Sequence, residues 1–380
     1  MSELGGQKRI AYLAHDLNDA AVGRRVEMIR RGGGEVRTAG FTRYAAPSMI
    51  GGKPAVTFGT TRDMRLAHRA RTVLRTVLRR KHVRRFVADA DVILARNLEM
   101  LLVAHAARLP GQRVVYECLD IHRMMLGKSA VSLILRAIER RLIARSELVV
   151  TSSPAFVERY FSSVQAIERP ICLVENRVLG DGSDAPALPR PAAPSAGQPW
   201  RIGWFGIIRC RRSLAALARL TRALPNQVEV IIAGRPNLTE ITDFEAQVAA
   251  APGIRFVGPY QLHDLPRLYA DCHFAWSIDF YEAGLNSNWL LPNRLYESLA
   301  NGAVPLALAD VEVGRWLSRH GVGICLDDLE AAADRFRAMT ADEYAGQSAR
   351  IAALPSSLLR VDGHGCRDLV DHLAGKGSRS

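Results

Sequence analysis

Three places in the sequence carry residue types at spacings that could do chemistry. In Leu291-Pro-Asn-Arg-Leu-Tyr-Glu-Ser-Leu-Ala-Asn-Gly302 a proline opens a helix, Glu297 lies on its first turns, and Asn301-Gly302 closes it. A carboxylate so placed can accept hydrogen bonds from two sugar hydroxyls. The helix N-terminus, beside Asn293 and Arg294, offers N–H groups and a positive dipole end to phosphate. In Gly206-Ile-Ile-Arg-Cys-Arg-Arg-Ser213 a glycine lets the backbone approach a phosphate, and Arg209 and Arg212, with Arg211 between them, can neutralise a leaving diphosphate. The competing reading of these arginines is a solvated cluster. Third, Cys118-Leu-Asp-Ile-His122 follows a strand-like run, and open α/β sheets place their chemistry at strand C-terminal ends. Asp120 and His122 can both accept a proton there, and an aspartate capping the next helix is the alternative.

The elements that must position these groups alternate as in a parallel α/β chain. Ile10–Ala14 reads as a strand, followed by a helix to about Arg31, a Gly32-Gly33-Gly34 stop and a second strand from Glu35 to Ala39. Asp91–Ala95, Arg113–Glu117 and Leu148–Val150 repeat the pattern, with a helix from Leu98 to Arg108 between the first two. The run from Gly180 to Pro199 is rich in Pro, Ala, Gly and Ser and has no periodicity, so it reads as a linker. Strands restart at Trp200, Val228, Ile254, Cys272, Ala303 and Gly321, with a helix from Leu214 to Leu224. The expected division is therefore a first domain over 1–179, a linker over 180–199 and a second domain over 200–358. Residues 359–380 are read as a closing helix that returns to the first domain, then a tail. No G-x-G-x-x-G follows the first strand, which leaves a dinucleotide-binding reading little support.

At 380 residues, with 48% apolar and 23% charged residues, the chain has the composition of a soluble globular protein with room for two cores. No apolar run approaches the roughly 20 residues a bilayer span needs, and the N-terminus leads straight into a strand with no visible signal peptide. Six cysteines without C-x-x-C spacing read as reduced thiols in cytosol and do not point to zinc. The net charge of +13 predicts an anionic partner, whether lipid surface, diphosphate or nucleic acid, unless it is a solvated surface. It is densest from Arg62 to Phe86, where ten cations (Arg62, Arg65, Arg69, Arg71, Arg75, Arg79, Arg80, Lys81, Arg84 and Arg85) face the lone acid Asp63. Leu66, Ala70, Val73, Leu74, Val77 and Leu78 recur at helical spacing between them. That pattern fits a helix lying at an anionic membrane interface, and equally a helix docked on its own domain that shows arginines to water.

The segment around Glu297 resembles the nucleotide-sugar site of GT-B glycosyltransferases of the family-4 type, whose pattern is N-K/R-x-x-E-x-x-A-x-G-x-P. Asn293, Arg294, Glu297, Ala300, Gly302 and Pro305 match it, with the proline in Gly-Ala-Val-Pro. The acid that family often carries eight residues before the helix glutamate is Trp289 here, and Glu282 lies further upstream. The resemblance is strong over 200–310 and diffuse over 1–180. It implies an α/β GT-B fold, two Rossmann-like parallel-sheet domains facing a central cleft. It implies donor contacts from Gly206, Arg209, Arg212, Gly234, Arg235, Tyr260 and Glu297, with Glu282, Asn286, Ser287 or Asn288 over the donor sugar. Asp19, Arg24 and Arg25 resemble an acceptor-side D-x-R-v-x-R, against a reading as helix cap and solvated arginines. Asp120 would act as base in an inverting displacement, or position the acceptor in a retaining one.

The expected activity is metal-independent transfer of a sugar from a nucleotide-sugar, UDP-sugar favoured over GDP-sugar, to a lipid-linked saccharide or polysaccharide acceptor. No cofactor is expected, because the nucleotide-sugar is a substrate. The resemblance turns Arg62 to Phe86 towards an anionic membrane surface, and places the protein in the cytoplasm, peripheral on the inner face of the cell membrane. The rivals are a catalytically silent GT-B binding protein at membranes and a nucleotide-sugar epimerase. RRM, KH, zinc-finger and helix-turn-helix signatures are absent, so nucleic acid is disfavoured.

Overall fold

The computed structural model describes residues 7–61, 66–180 and 191–376. Arg62, Arg65, half of the expected linker and the end of the tail lie outside the described residues. The chain divides into two compact units. One runs to Glu175 and resumes at Val361; the other spans Asn176–Arg360.

In chain order the first unit contains β1 (Arg9–Ala14), α1 (Ala20–Arg31), β2 (Glu35–Thr42), the short β3 (Met49–Ile50) and β4 (Lys53–Pro54), and β5 (Val56–Thr60). It continues with α2 (Leu66–Leu78), α3 (Arg80–Val87), β6 (Val92–Arg96), α4 (Asn97–Ala107), β7 (Arg113–Cys118), α5 (Arg123–Leu126), α6 (Ala130–Ile143), β8 (Leu148–Thr151), a π-helical turn at Phe156–Ser162 and β9 (Ile171–Leu173). Seven strands form one parallel sheet in the order β5-β2-β1-β6-β7-β8-β9. Ile10 to Ala14 and Val92 to Arg96 are buried throughout, as strands covered on both faces must be. The chain steps outward from β1 to β2 and β5, then crosses back to lay β6 on the other side of β1. The strand order therefore reverses between β1 and β6, where open sheets leave a crevice.

The second unit follows the same plan with β10 (Val178–Leu179), β11 (Trp200–Ile208), α7 (Arg211–Ala223), β12 (Val228–Pro236), α8 (Phe244–Ala249), β13 (Ile254–Phe256), α9 (Leu265–Ala270), β14 (Phe274–Trp276) and α10 (Asn293–Ala300). Then come β15 (Val304–Leu308), α11 (Glu312–His320), β16 (Ile324–Leu326), α12 (Ala331–Arg337), α13 (Ala341–Ala352), α14 (Ser356–Leu359) and β17 (Arg360–Val361). Its six-stranded parallel sheet runs β13-β12-β11-β14-β15-β16, reversing between β11 and β14. Trp204, Trp276, Tyr296, Trp316 and Tyr344 fill its core.

The last helix, α15 (Gly363–Ala374), belongs to the first unit. It lies so close to the end of α1 that a Cβ on Gly32 would stand 2.2 Å from the Cys366 carbonyl oxygen. Arg113 Nε donates to the Leu373 carbonyl at 3.2 Å and ties the helix to β7.

One expectation departs from the observed elements in a simple way. The basic segment is two helices, broken at Arg79, and its inner side is docked on its own unit. Val73, Thr76, Val83 and Val87 are buried against the unit, while Leu74 and Leu78 face out among arginines.

His273, at the start of the second core, accepts the Arg201 N–H on Nδ1 at 2.9 Å and makes a 3.0 Å contact from Nε2 to the Ala192 carbonyl. Both contacts are satisfied only by the neutral Nε2–H tautomer, and burial followed by Arg201 lowers its pKa to about 4. The unfolded chain binds this proton at higher pH than the folded one does, so stability is lost as pH falls from about 6.5 towards 4. Thermal unfolding across that window should show a midpoint that falls with pH, and His273→Gln should flatten the slope. An identical slope in the variant would remove His273 from the account.

Candidate active site

The C-terminal edge of the six-stranded sheet gathers most of the residues that the sequence marks. β11 and β12 pair in register through Gly206 and Gly234, whose φ values are 120° and 137°. A Cβ on Gly234 would lie 1.8 Å from the Gly206 carbonyl oxygen, so only glycine fits there. Beyond Gly234 opens a cavity of about 460 Å³, within the roughly 300–1,000 Å³ usual for ligand pockets. Arg235, Leu238, Phe256, Pro259, Tyr260 and Gln261 are among its lining residues.

Helix α10 reaches the same edge. Pro292 is its N-cap rather than its first residue, and Leu295, Tyr296 and Leu299 are its buried face. Ser298 is fully buried beside them, its hydroxyl donating to the Leu295 carbonyl at 2.9 Å. Asn293 is exposed at the first position, and Arg294 and Glu297 are half-buried. Arg294 Nε donates to the Phe205 carbonyl at 2.8 Å and Nη1 to the Trp276 carbonyl at 3.2 Å. Its guanidinium thus bridges the ends of β11 and β14, where the strand order reverses. Glu297 stands close enough to the cavity wall to act on two tyrosines. Tyr260 is pushed up to about 12, first by burial and then by Glu297, with Arg294 opposing. The buried Tyr269 shifts up for the same reasons in the same order.

The loop after β11 is knitted to the segment after β14. Cys210 caps α7 through its sulfur, which accepts the N–H of Ser213 and that of Phe280, each at 3.3 Å. The Ser213 hydroxyl donates to the Ile278 carbonyl at 3.0 Å. Arg209 pairs with Asp279 at 3.6 Å and lies 4.4 Å over the Tyr281 ring, and Arg212 lies 4.0 Å over Phe280. Arg211 turns aside to Asp243 at 2.9 Å. Both expected cations therefore stack on rings of one short stretch, Arg212 while exposed and Arg209 while half-buried. Within the 279–288 loop Ser287 Oγ holds the Glu282 N–H at 3.0 Å, and Asn288 Oδ1 holds the Gly284 N–H at 2.6 Å. The Asn288 oxygen, expected over a sugar, is thus engaged in shaping its own loop.

In the first unit the outcome differs for the acceptor-side residues. Asp19 caps α1, accepting the Ala21 N–H at 2.9 Å, and its other oxygen receives Arg96 Nη2 at 2.9 Å. Arg25 is buried, with Nε 2.5 Å from Glu117 Oε1. Glu117 is itself fully buried on β7 and also accepts from the Tyr12 hydroxyl, while Arg96 approaches its other oxygen at 4.0 Å. Burial opposes the Glu117 charge, but Arg25 and Arg96 outweigh it and hold the carboxyl below its ordinary range. Arg24 is half-buried on α1.

Asp120 is exposed just past β7, and His122 caps α5, its Nδ1 accepting the Met124 N–H at 3.3 Å. Partial burial, then Arg69, keeps His122 below its ordinary pKa, with Glu99 opposing. His15, just after β1, is shifted down further by burial, Arg96, Arg69 and Arg43, and its Nδ1 is buried without a hydrogen-bond partner. The sequence reading did not mark Glu117, Arg96 or His15. A charged residue interrupting each otherwise apolar strand end was the available signal.

No family model matches the chain. It is 44% identical over 375 residues to the succinoglycan biosynthesis protein ExoL of Rhizobium meliloti (strain 1021), covering 96% of this chain and 93% of that one. Among solved structures it is similar to Anabaena HepE in complex with UDP and glucose, with a TM-score of 0.66 at 15% identity over 97% of this chain and 100% of that one. A sucrose-phosphate synthase from Thermosynechococcus elongatus superposes with a TM-score of 0.64 at 14% identity, covering 97% and 95% of the two chains. With its two parallel sheets and this relative along nearly its whole length, the chain belongs to the ExoL family of succinoglycan biosynthesis proteins and carries the GT-B glycosyltransferase fold.

Proposed function

We propose that this protein transfers a sugar from a UDP-sugar to a lipid-linked saccharide or growing polysaccharide, without a metal ion. The observation that carries the reading is the C-terminal edge of the six-stranded sheet, where a cavity opens beside Gly234 and Tyr260, Glu297 stands near enough to act on Tyr260, and the Arg209–Arg212 loop leaves β11 at the same edge. In this reading the base enters the cavity against Tyr260, Glu297 receives the ribose hydroxyls, and the N-termini of α7 and α10 face the diphosphate. As the bond from the anomeric carbon to the diphosphate oxygen breaks, Arg209 and Arg212 stabilise the charge left on that oxygen. An acceptor hydroxyl forms the new bond and Asp120 takes its proton. HepE, which shares the fold, binds UDP and glucose, and ExoL acts in succinoglycan biosynthesis; both support the choice of donor and product class.

Among the described residues no helix is long and apolar enough to cross a membrane. A polymer intermediate held on lipid would be met at the membrane surface, so the protein is assigned a peripheral position on the cytoplasmic face, with the exposed Arg71 and Arg75 of α2 and Arg79 just beyond it towards the lipid. The test is donor turnover. Purified protein should release UDP from a UDP-sugar and should do so equally after EDTA treatment, with UDP binding more tightly than GDP or ADP by calorimetry. Silence towards every nucleotide in both assays would end the reading, and loss of turnover on chelation would end its metal-free form.

A further inference from the structure

We infer that α6, and not α2 alone, is the surface that inserts into an anionic lipid bilayer. This inference rests on the peripheral position proposed above. Val131, Leu133, Ile134 and Ile138 are 52%, 56%, 59% and 39% exposed, the densest group of exposed large apolar side chains among the described residues. Val131, Ile134 and Ile138 recur along one side of the helix, and Leu133 is exposed about 100° round from Ile134. Such a stripe on a soluble domain marks a surface that another phase or molecule covers.

The stripe is not a packing defect, because α6 is pegged firmly from beneath. Glu139 is 2% exposed and accepts from the hydroxyls of Tyr116 at 2.6 Å and Tyr160 at 2.5 Å, and from Gln165. Arg136 Nη1 donates to the carbonyls of Met125 and Gly127, each at 2.7 Å, fixing the helix to α5. The opposite face is thereby held outward.

Charge decides the occupant. From Ile121 to Ser146 the only acid is the buried Glu139, whereas Arg123, Lys128, Arg140, Arg141 and Arg145 are all exposed at the two ends of the stripe. A second copy docked by this face would bring arginine against arginine. Nucleic acid would satisfy the ends and leave the apolar centre in water. An anionic bilayer satisfies both, taking the apolar side chains below the headgroups and the cations among them. Helix α2, whose Leu74 and Leu78 are 58% and 74% exposed, packs like α6 against α4, so it flanks this surface rather than forming it alone.

The test is co-sedimentation with phosphatidylcholine vesicles and with mixed phosphatidylcholine–phosphatidylglycerol vesicles. The wild type should pellet with the mixed vesicles and stay in solution with phosphatidylcholine alone. The variant Leu133→Ser with Ile134→Ser should lose about tenfold in partition or more, since each buried methylene is worth about 0.8 kcal/mol. Both positions are exposed, so unchanged thermal unfolding and UDP affinity report an intact fold. Equal pelleting of variant and wild type overturns the inference. So does a wild type that ignores both vesicles, or a variant whose only change is from dimer to monomer in sedimentation velocity. UDP affinity read in the same samples keeps the two questions apart: its absence fails the nucleotide reading and leaves α6 to be judged by the vesicles.

Discussion

Glu297→Ala should weaken UDP binding roughly a hundredfold or more while leaving the urea midpoint close to that of the wild type. The size follows from what the side chain is assigned to do. Two ribose hydroxyls donating to one carboxylate are charge-assisted bonds worth about 1.5–3 kcal/mol each, and every 1.4 kcal/mol is tenfold in affinity. The fold is spared because the buried face of α10 is Leu295, Tyr296 and Leu299, and Glu297 lies off it. Calorimetry with UDP measures the first half of this statement and denaturant titration the second. Wild-type affinity in the alanine variant would remove Glu297 from the ribose and with it the core of the proposed donor site.

The second large effect lies in the other unit and concerns stability. Glu117→Gln should cost about 3–5 kcal/mol, because it strands the buried Arg25 guanidinium that the carboxylate now balances and leaves the buried Arg96 to Asp19 alone. Arg25 Nε approaches it at 2.5 Å and Arg96 at 4.0 Å, and neither can reach bulk water from where it sits. The pH dependence has a definite sign. A carboxyl held below its ordinary range contributes stability that is present above the unfolded pKa and lost as pH falls through the folded one. The wild type should therefore weaken on the acid side, and the glutamine variant should lack that share of the loss. Urea titrations at neutral and acid pH compare the two. A variant within about 0.5 kcal/mol of wild type would mean the network is not a stabilising one.

Both predictions concern acids on regular elements, yet only one was visible beforehand. Glu297 stands in a segment whose own neighbours announce it: a proline start, an apolar face and an Asn-Gly stop, all within one helix. Glu117 sits at the end of an apolar run and reads locally as strand. Its meaning comes from Arg25, 92 residues away, and from Arg96, and no local periodicity encodes such a pairing. The same division explains the arginine loop. Arg209 and Arg212 were legible beside Gly206, but the rings that orient them arrive with β14, and Cys210 reaches Phe280 across 70 residues. Strand and helix order was readable because most strands are short apolar runs set between helical patterns. The position of Ser298 was not, since a serine can be buried once its hydroxyl finds a carbonyl within its own turn.

The return of α15 to α1 carries a consequence for biosynthesis. The segment from Asn176 to Arg360 is continuous and holds a sheet of its own, so it has everything it needs before translation ends. The unit begun first does not: the surface at Gly32 that Cys366 and Val370 cover stays bare until α15 has left the ribosome. The N-terminal half is thus the last to be finished, and premature termination near Val361 would leave its apolar flank open to chaperones and proteases.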